Sequence, residues 1–433
     1  MPDILEIELD PAAVADPYAA YARMRAADGL SRHATEGYYF VSRYEDVREA
    51  AMRPDDFSSA IMSALVRSNR LLAGLPSGVF DALEMLAVAD DPAHAAHRKL
   101  MKRHFTANPV AEITRRARPR IERKVERFVT SGGGDFAADI AAVVPIEMTL
   151  ELLGFPPSDG PRLKRIVDGC VELLAGQLPR DRKLASFIAG AQLFRYTRSR
   201  VREMKGRSHE AAPICRALLE AAQDGTLPEI LVPGIVSQLI AAGIDSTASL
   251  LGNALRMLAE SPELAQQLRE DPSLVPSFIE ECLRLEAPFQ GHFRVVRRPT
   301  QLAGTELVPG DRLMLLWAAA NRDPEVFPAP DELLLDRART MGGHVSFGHG
   351  YHLCLGAALA RATARTVVTG LLERTQSVSL TESPPVLRPS PYLRTLTSLP
   401  LCVEAAPQTW RNGSSTGEAC NPSRPEDHAQ QNH

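Results

Sequence analysis

FGHGYHLCLG, residues 347–356, places three glycines, two histidines and one cysteine directly before a helical pattern that runs to about residue 374. Gly348, Gly350 and Gly356 permit positive φ and close backbone approach, so the loop can wrap around one atom and direct amide N–H groups at it. Cys354 precedes the helix, where free amides and the helix dipole lower a thiol's pKa. The stretch therefore predicts a loop built around a single thiolate.

Three other interpretations start from the same residues. A zinc site would use mixed cysteine and histidine ligands, here His344, His349, His352 and Cys354. The single thiolate and the intervening glycines differ from the paired ligand spacing of such sites. A catalytic cysteine needs a base and an orienting group, and His352 is near only in sequence. A structural turn with a buried cysteine is the third interpretation, and the residues alone leave all three open.

The pattern Phe-Gly-x-Gly-x-His-x-Cys-x-Gly resembles the haem-binding loop of the cytochrome P-450 family at every fixed position. The resemblance implies a mainly α-helical fold with small β-sheets, in which haem b lies between this loop and a long central helix. It also implies that the Cys354 thiolate is the axial iron ligand. Phe347 and Gly348 would then lie beside the cofactor, and His352 would contact a haem propionate.

Basic residues in two other segments are candidates for the same propionates. ADDPAHAAHRKLMKRHF, residues 89–105, puts His94 and Arg98 four residues apart on one helical face, where they can bind an anion or form an ordinary basic surface. The segment resembles the family's propionate-binding His-x-x-x-Arg element. Arg294, in HFRVVRRPTQLAGTEL, stands where the family has a further propionate-binding arginine.

FIEECLRLEAP, residues 278–288, holds Glu281 and Arg284 at the spacing of an ordinary ion pair on a helix surface. It resembles the family's Glu-x-x-Arg helix, which implies a buried structural pair joined by a second arginine. Arg337 is the candidate for that third member.

GIVSQLIAAGIDSTASLLGNALRMLAE, residues 234–260, predicts a long apolar helix with Asp245, Ser246 and Thr247 at its centre. Such residues also cap breaks or bond back to the preceding turn. The segment resembles the family's Ala-Gly-x-acid-Thr-Thr signature, which implies that these three are catalytic and deliver protons during dioxygen activation. The hydroxyl back-bond would open the helix at a kink or bulge. Ser246 replaces the family's threonine, keeping the hydroxyl without the methyl group.

Composition narrows the class of protein. The 433 residues carry a net charge of −4, with 45% hydrophobic and 24% charged residues, which is ordinary for a globular protein and gives no case for a nucleic-acid partner. Six cysteines without CxxC spacing fit a reducing compartment. The N-terminus lacks a signal-peptide pattern and no stretch reaches a membrane-spanning length, so a cytoplasmic protein without a membrane span is expected.

The resemblance covers residues 16 to about 404, which predicts one catalytic domain over residues 1–406. Residues 407–433 are polar with few apolar residues, which predicts a disordered tail. It implies a soluble monooxygenase of bacterial, most nearly actinobacterial, type. The enzyme would insert one oxygen atom from dioxygen into an apolar small molecule, with electrons from a ferredoxin and its reductase. The predicted substrate pocket is formed by residues 60–90, 239–245, 289–292 and 391–393.

The electron donor would dock on the cysteine side, where exposed Lys99, Lys102 and Arg103 are expected to attract an acidic protein, although a solvated basic face has the same composition. Two alternatives to the monooxygenase are a peroxide-using peroxygenase and a non-catalytic haem- or lipid-binding protein. Peroxygenases of the family carry Arg-Pro where this chain has Asp245 and Ser246.

Overall fold

The computed structural model describes residues 6–7, 11–61, 85–174, 180–337 and 343–407. The α-helices are α1 Pro11–Ala15, α2 Tyr18–Ala26, α3 Tyr44–Ala51, α4 Ala93–Lys102, α5 Ala107–Thr130, α6 Val144–Leu153, α7 Gly160–Leu174, α8 Arg180–Lys205, α9 Pro213–Gln223, α10 Leu231–Glu260, α11 Pro262–Glu270, α12 Val275–Leu285, α13 Trp317–Ala320 and α14 Ala357–Leu372. The strands are β1 Glu6–Ile7, β2 Ser31–His33, β3 Tyr39–Val41, β4 Phe57–Ser58, β5 Gly133–Asp135, β6 His292–Val296, β7 Thr300–Leu302, β8 Thr305–Leu307, β9 Arg312–Leu315, β10 Thr375–Leu380, β11 Val386–Leu387, β12 Leu396–Ser398 and β13 Pro400–Ala405. The predicted mainly α fold with small sheets is confirmed. The predicted tail after residue 407 and most of the predicted pocket loop, residues 62–84, lie outside the described residues.

Helix α10 lies at the centre of the largest hydrophobic core. It packs against α6, α7, α8 and α14, and residues such as Ile240 and Ile244 are almost completely buried. Within the described part of the chain it alone has the length and apolar composition of a membrane span, and half of its most apolar window is buried in the protein. A core helix passes the same test, so α10 gives little support to a membrane span.

The predicted bulge at the polar centre of α10 is not found. The helix is α-helical from Leu231 to Glu260, without a bulge at its polar centre. Ser246 Oγ does donate to Ala242 O at 2.7 Å, as the back-bond prediction requires. The Ala242 carbonyl oxygen thus accepts from the Ser246 hydroxyl in addition to its ordinary helical backbone bond, and the helix accommodates both bonds without a break.

The largest sheet has the strand order β1-β2-β3-β9-β6-β4. Strand β9 lies between β3 and β6 and pairs in parallel with β3 and antiparallel with β6. In the pairing with β6, Leu313 lies opposite Arg294. Side chains two residues apart on a strand share a face. The register of β6 therefore places His292 and Arg294 on the same side of this sheet.

Glu281, Arg284 and Arg337 form the buried cluster that the sequence predicts. Arg284 donates from Nε and Nη2 to the two carboxylate oxygens of Glu281 at 2.7 and 2.9 Å, and Arg337 donates from Nε at 3.2 Å. Arg284 also donates to the backbone oxygens of Asn321, Pro330 and Glu332. The cluster joins α12 to the irregular chain that leads to the cysteine loop.

Candidate functional site

The cysteine loop is closed by its own backbone. Cys354 N donates to Phe347 O at 2.9 Å, and Gly348 and Gly350 have φ of +75° and +68°. A Cβ at Gly350 would lie 2.9 Å from Ala51 O, so the loop packs on α3 only because this residue has no side chain. These contacts hold Cys354 at the entrance to α14, as the glycine spacing predicts.

The pKa of the Cys354 thiol is raised, which is opposite to the direction expected from the sequence. Burial is the largest cause. The Gly356 and Ala357 amides and the charges of Arg98 and Arg361 do favour the thiolate, as predicted, but they do not outweigh the loss of solvent. Cys354 lies in the wall of a cavity, so part of its surface is exposed to that cavity although protein surrounds the residue on its other sides.

That cavity occupies about 1570 Å³ of space not filled by atoms, including its opening to solvent. Its wall is formed by α4, α6, α10, α14, β6 and the cysteine loop. Leucine, phenylalanine and other apolar side chains alternate in this wall with a small number of polar ones, which is the composition typical of small-molecule sites. Cys354, Phe347 and Gly348 all lie in its wall.

Two histidines predicted to bind propionates meet in the cavity wall. The rings of His94 and His352 stack with centroids 3.9 Å apart, although the two residues are 258 positions apart in the chain. Burial, followed by the charge of Arg294, lowers the pKa of His352 to about 2, so this ring is neutral at neutral pH. Each neutral imidazole keeps one N–H group that can donate to a carboxylate.

The two predicted arginines also line the cavity. Arg98 Nη1 donates to Leu353 O at 2.8 Å and so ties α4 to the cysteine loop. Arg294 is 8% exposed, and its only hydrogen bond to a described residue joins Nη1 to Phe293 O at 2.8 Å. Burial lowers the pKa of Arg294 to about 10. A buried guanidinium without a carboxylate partner among the described residues is chemically matched to the propionates of the predicted haem.

The three predicted catalytic residues do not share one face of α10. Ser246 and Thr247 line the cavity together with Ala242 and Gly243, whereas Asp245 does not. Successive helix residues are about 100° apart, so three consecutive side chains cannot all face one cavity. Thr247 is 6% exposed, and no described protein group forms a hydrogen bond with its hydroxyl.

Asp245 lies on the side of α10 that faces α7. The charged groups that influence its carboxyl belong to Arg388 and to Asp168 and Lys164 of α7. Its Oδ2 atom is buried and has no hydrogen-bond partner in the described structure. Burial raises the pKa of Asp245 to about 7, with the Arg388 charge acting in the opposite direction. This carboxyl is therefore able to exchange a proton near neutral pH.

Part of the substrate pocket predicted from the sequence coincides with the wall of this cavity. Leu239, Phe289 and His292 lie in the cavity wall as expected. Residues 391–393 do not line it: Leu393 pairs with Phe289 in an isolated β-bridge and Tyr392 packs behind the Phe289 ring. This turn supports the wall from outside, and that arrangement depends on tertiary packing that the turn's own sequence does not reveal.

Sequence reasoning missed several wall residues. Trp317, the first residue of α13, lines the cavity and donates from Nε1 to His292 Nδ1 at 2.7 Å. Met148 and Leu152 of α6 also line it, and their i, i+4 spacing marks one apolar helix face without showing what that face meets. A buried tryptophan usually needs a hydrogen-bond acceptor for its indole N–H group. This requirement predicts a polar neighbour for Trp317 but does not identify it as His292.

The zinc interpretation finds no support. Across the described ranges, no group of three or more histidine, cysteine, aspartate or glutamate side chains is arranged to hold a metal ion. His344 instead lies 3.2 Å from a Glu280 oxygen, and Arg361 donates twice to the same carboxylate. One thiolate and a set of cationic or donor side chains around a large cavity fit an iron porphyrin with carboxylates.

Comparisons with known proteins agree on one family. A family model described as cytochrome P450 matches residues 191–398. Cytochrome P450 144 of Mycobacterium tuberculosis is 38% identical over 399 residues, covering 90% of each chain. Vitamin D(3) 25-hydroxylase of Pseudonocardia autotrophica is 32% identical over 89% of this chain and 93% of its own. The solved structure of cytochrome P450 CYP109Q5 from Chondromyces apiculatus matches with a TM-score of 0.78 at 28% identity, covering 93% of this chain and 99% of that one.

Proposed function

The chain belongs to the cytochrome P450 family of haem-dependent oxidoreductases, and we propose that it is a cytoplasmic monooxygenase that inserts one oxygen atom from dioxygen into an apolar small molecule. The observation that carries this proposal is that Cys354 and the alcohols Ser246 and Thr247 face one large cavity. A thiolate ligand and proton-handling groups on a common cavity are the parts that this reaction needs.

Haem bound in this cavity supplies dioxygen binding and oxygen transfer, and its thiolate ligand favours cleavage of the O–O bond. Cys354 would hold the iron, with the Gly356 and Ala357 amides stabilising the negative sulfur. Arg98 and Arg294 would neutralise the haem carboxylates, because neither has a carboxylate partner among the described residues. His94 and His352, stacked in the same wall, would donate to them.

The residues at the centre of α10 would handle protons from two sides of the helix. Thr247 is poised to donate into the cavity, since no described protein group binds its hydroxyl. The Ser246 proton is bound to Ala242 O, so Ser246 would act as an acceptor unless that bond breaks. Asp245, with its pKa raised by burial to about 7, would supply protons from the α7 side. Transfer from Asp245 then has to pass around α10 to reach the cavity.

The substrate would be a largely apolar molecule. Leu86, Leu239, Leu250 and Phe289 give the cavity an apolar surface, and no described lining residue is an acid. Burying apolar area is the main source of affinity for such ligands, at about 25 cal/mol per Å². A lipid, steroid, terpenoid or polyketide fits this surface, and one relative is named for its action on vitamin D3.

The electron donor would be a ferredoxin, reduced by its reductase, that docks on the cysteine side. Lys99, Lys102 and Arg103 are exposed near the end of α4. The bond from Arg98 to Leu353 O places this helix directly against the cysteine loop. A cluster of cations beside the loop would attract an acidic protein and speed its association.

Spectra of the haem-loaded protein test the cofactor assignment. The reduced protein under carbon monoxide should show the red-shifted Soret band of thiolate-ligated haem, and Cys354→Ala should lose it. Cys402→Ala, which changes a cysteine in β13, is the matched control and should keep it. A thiolate spectrum that survives in Cys354→Ala would show that another residue is the ligand.

Turnover separates the three candidate functions. Product formation that requires NAD(P)H, ferredoxin and reductase supports the monooxygenase. Product formed with hydrogen peroxide alone, at a comparable rate, supports a peroxygenase. Ligands that shift the Soret band without giving product under either condition support a binding protein. The substrate search itself is best made by screening apolar compounds for such shifts.

A further inference from the structure

His292 is held in the cavity wall by aromatic neighbours. It is the first residue of β6, and its ring centroid lies 5.1 Å from that of Phe289 and 5.6 Å from that of Tyr392. Both contacts are edge-to-face, a preferred geometry for aromatic pairs. The imidazole therefore has a fixed orientation within the wall.

Trp317 determines which imidazole nitrogen carries the proton. Its Nε1 lies 2.7 Å from His292 Nδ1. An indole N–H can only donate, so Nδ1 must accept with its lone pair. Burial, followed by the charge of Arg294, lowers the pKa of His292 to about 3, so the ring is neutral at neutral pH. The single ring proton then lies on Nε2.

The Nε2–H group has no partner among the described residues, since the only hydrogen bond of this ring is the one from Trp317. With Nδ1 occupied, Nε2 is the ring atom that a molecule in the cavity can bind. Gln238 of α10 also lines the cavity: its Oε1 accepts from Ala87 N at 3.1 Å, and its amide N–H groups have no hydrogen-bond partner among the described residues. His292 and Gln238 are thus left as donors in addition to the wall residues already assigned to the haem carboxylates and to proton handling.

We propose that His292 is a specificity-determining residue whose Nε2–H, fixed by Trp317, binds a hydrogen-bond-accepting oxygen of the substrate, such as a carbonyl, ester or ether oxygen. The assignment rests on the proposed monooxygenase function, since it concerns the substrate of the same cavity. Carboxylate oxygens of haem have the same acceptor chemistry, and the test below distinguishes the two sources. Cationic amines are disfavoured, because no described residue of the cavity wall is an acid that could balance their charge.

Paired iron-binding probes test this donor without a known substrate. The probes are 1-(acetylphenyl)imidazole and 1-(ethylphenyl)imidazole with the substituent at the ortho, meta or para position. Each pair shares the imidazole that binds iron and differs by one accepting oxygen. Dissociation constants come from the shift of the Soret band in the holoenzyme.

For at least one position, the preference for acetyl over ethyl should fall about three- to tenfold in His292→Phe, as expected for one hydrogen bond. Trp317→Phe should lower the same preference, because Nδ1 loses the donor that fixes the tautomer. Tyr392→Phe keeps the ring contact and leaves the donor untouched, so it should keep the preference.

An acetyl preference that is independent of His292 at all three positions would overturn the proposal. If His292→Phe leaves the probe preferences unchanged but speeds haem transfer to apomyoglobin, the acceptor is a haem carboxylate and the substrate role is wrong. A wild-type protein whose Soret band responds to none of the probes would count against the proposed function instead.

Discussion

Replacing Glu281 with glutamine removes the negative charge that two buried arginines share. Arg284 and Arg337 make three hydrogen bonds to this carboxylate, at 2.7, 2.9 and 3.2 Å. The side chains of Glu281, Arg284 and Arg337 are only 4%, 2% and 5% exposed, so water cannot replace the lost charge. Breaking a buried pair from one side costs about 3–5 kcal/mol. We expect Glu281→Gln to lower the free energy of unfolding by about that amount at neutral pH.

Urea-induced unfolding of the holoenzyme, followed by far-ultraviolet circular dichroism, measures the loss. Glu112→Gln is the matched control. Glu112 has the same i, i+3 spacing to an arginine, with bonds of 2.9 and 2.8 Å to Arg115, but both side chains are largely exposed. Because water can solvate the charges of an exposed pair, this control should leave the unfolding curve unchanged.

The loss should also depend on pH. Burial raises the pKa of Glu281, but hydrogen bonds from Arg284 and the Leu334 amide and the charges of both arginines outweigh burial and lower it. A depressed folded-state pKa gives stability that is complete above the unfolded value of about 4.3 and is lost as pH falls through the folded value. The difference between wild type and Glu281→Gln should therefore shrink in acid. A neutral-pH loss below about 1 kcal/mol, the net value of an ordinary hydrogen bond, would refute the reasoning.

Three other variants examine the cavity and its surroundings. Asp245→Asn should lower kcat about 10²-fold with haem content unchanged. Wild-type kcat should fall as pH rises through about 7, because the protonated carboxyl is the donor, and the variant should lack this step; unchanged turnover would make Asp245 a structural residue. Arg294→Gln should speed haem transfer to apomyoglobin about tenfold or more, since a charged hydrogen bond is lost. Lys99→Glu with Lys102→Glu should raise KM for ferredoxin at low salt and lose the effect at high salt, without altering the carbon monoxide spectrum.

Features contained within one short segment were predictable from the sequence. The glycines of the cysteine loop, the helix after it and the Ser246 back-bond each depend on residues a few positions apart. The meeting of His94, Arg294 and His352 depends on three distant segments, and residue patterns alone did not bring them together. The resemblance to a known family supplied that step, and the structure places all three in one wall.

The remaining expectations failed where a property depends on tertiary surroundings. A helix start lowers a thiol's pKa, yet burial determines the direction for Cys354. Three polar residues in a row mark the centre of α10, but the helical rotation between them separates Asp245 from the cavity that Ser246 and Thr247 line. Neither the burial of a residue nor the identity of the helix that packs against it can be predicted from the sequence of its own segment.

Under the proposed function, the separation of Asp245 from Ser246 and Thr247 would give the two sides of α10 different tasks. The cavity side carries small residues and hydroxyls, Ala242, Gly243, Ser246 and Thr247, which leave space while keeping few charges near the substrate. The α7 side carries the carboxyl of Asp245. Its Oδ2 has no hydrogen-bond partner among the described residues, and its raised pKa makes it easier to protonate than an exposed aspartate. A carboxylate in the cavity wall itself would attract the guanidinium groups of Arg98 and Arg294. It would then compete with the propionates of a bound haem for these two side chains. Under the proposed function, an acid behind the helix would allow proton supply and propionate binding to coexist within one fold.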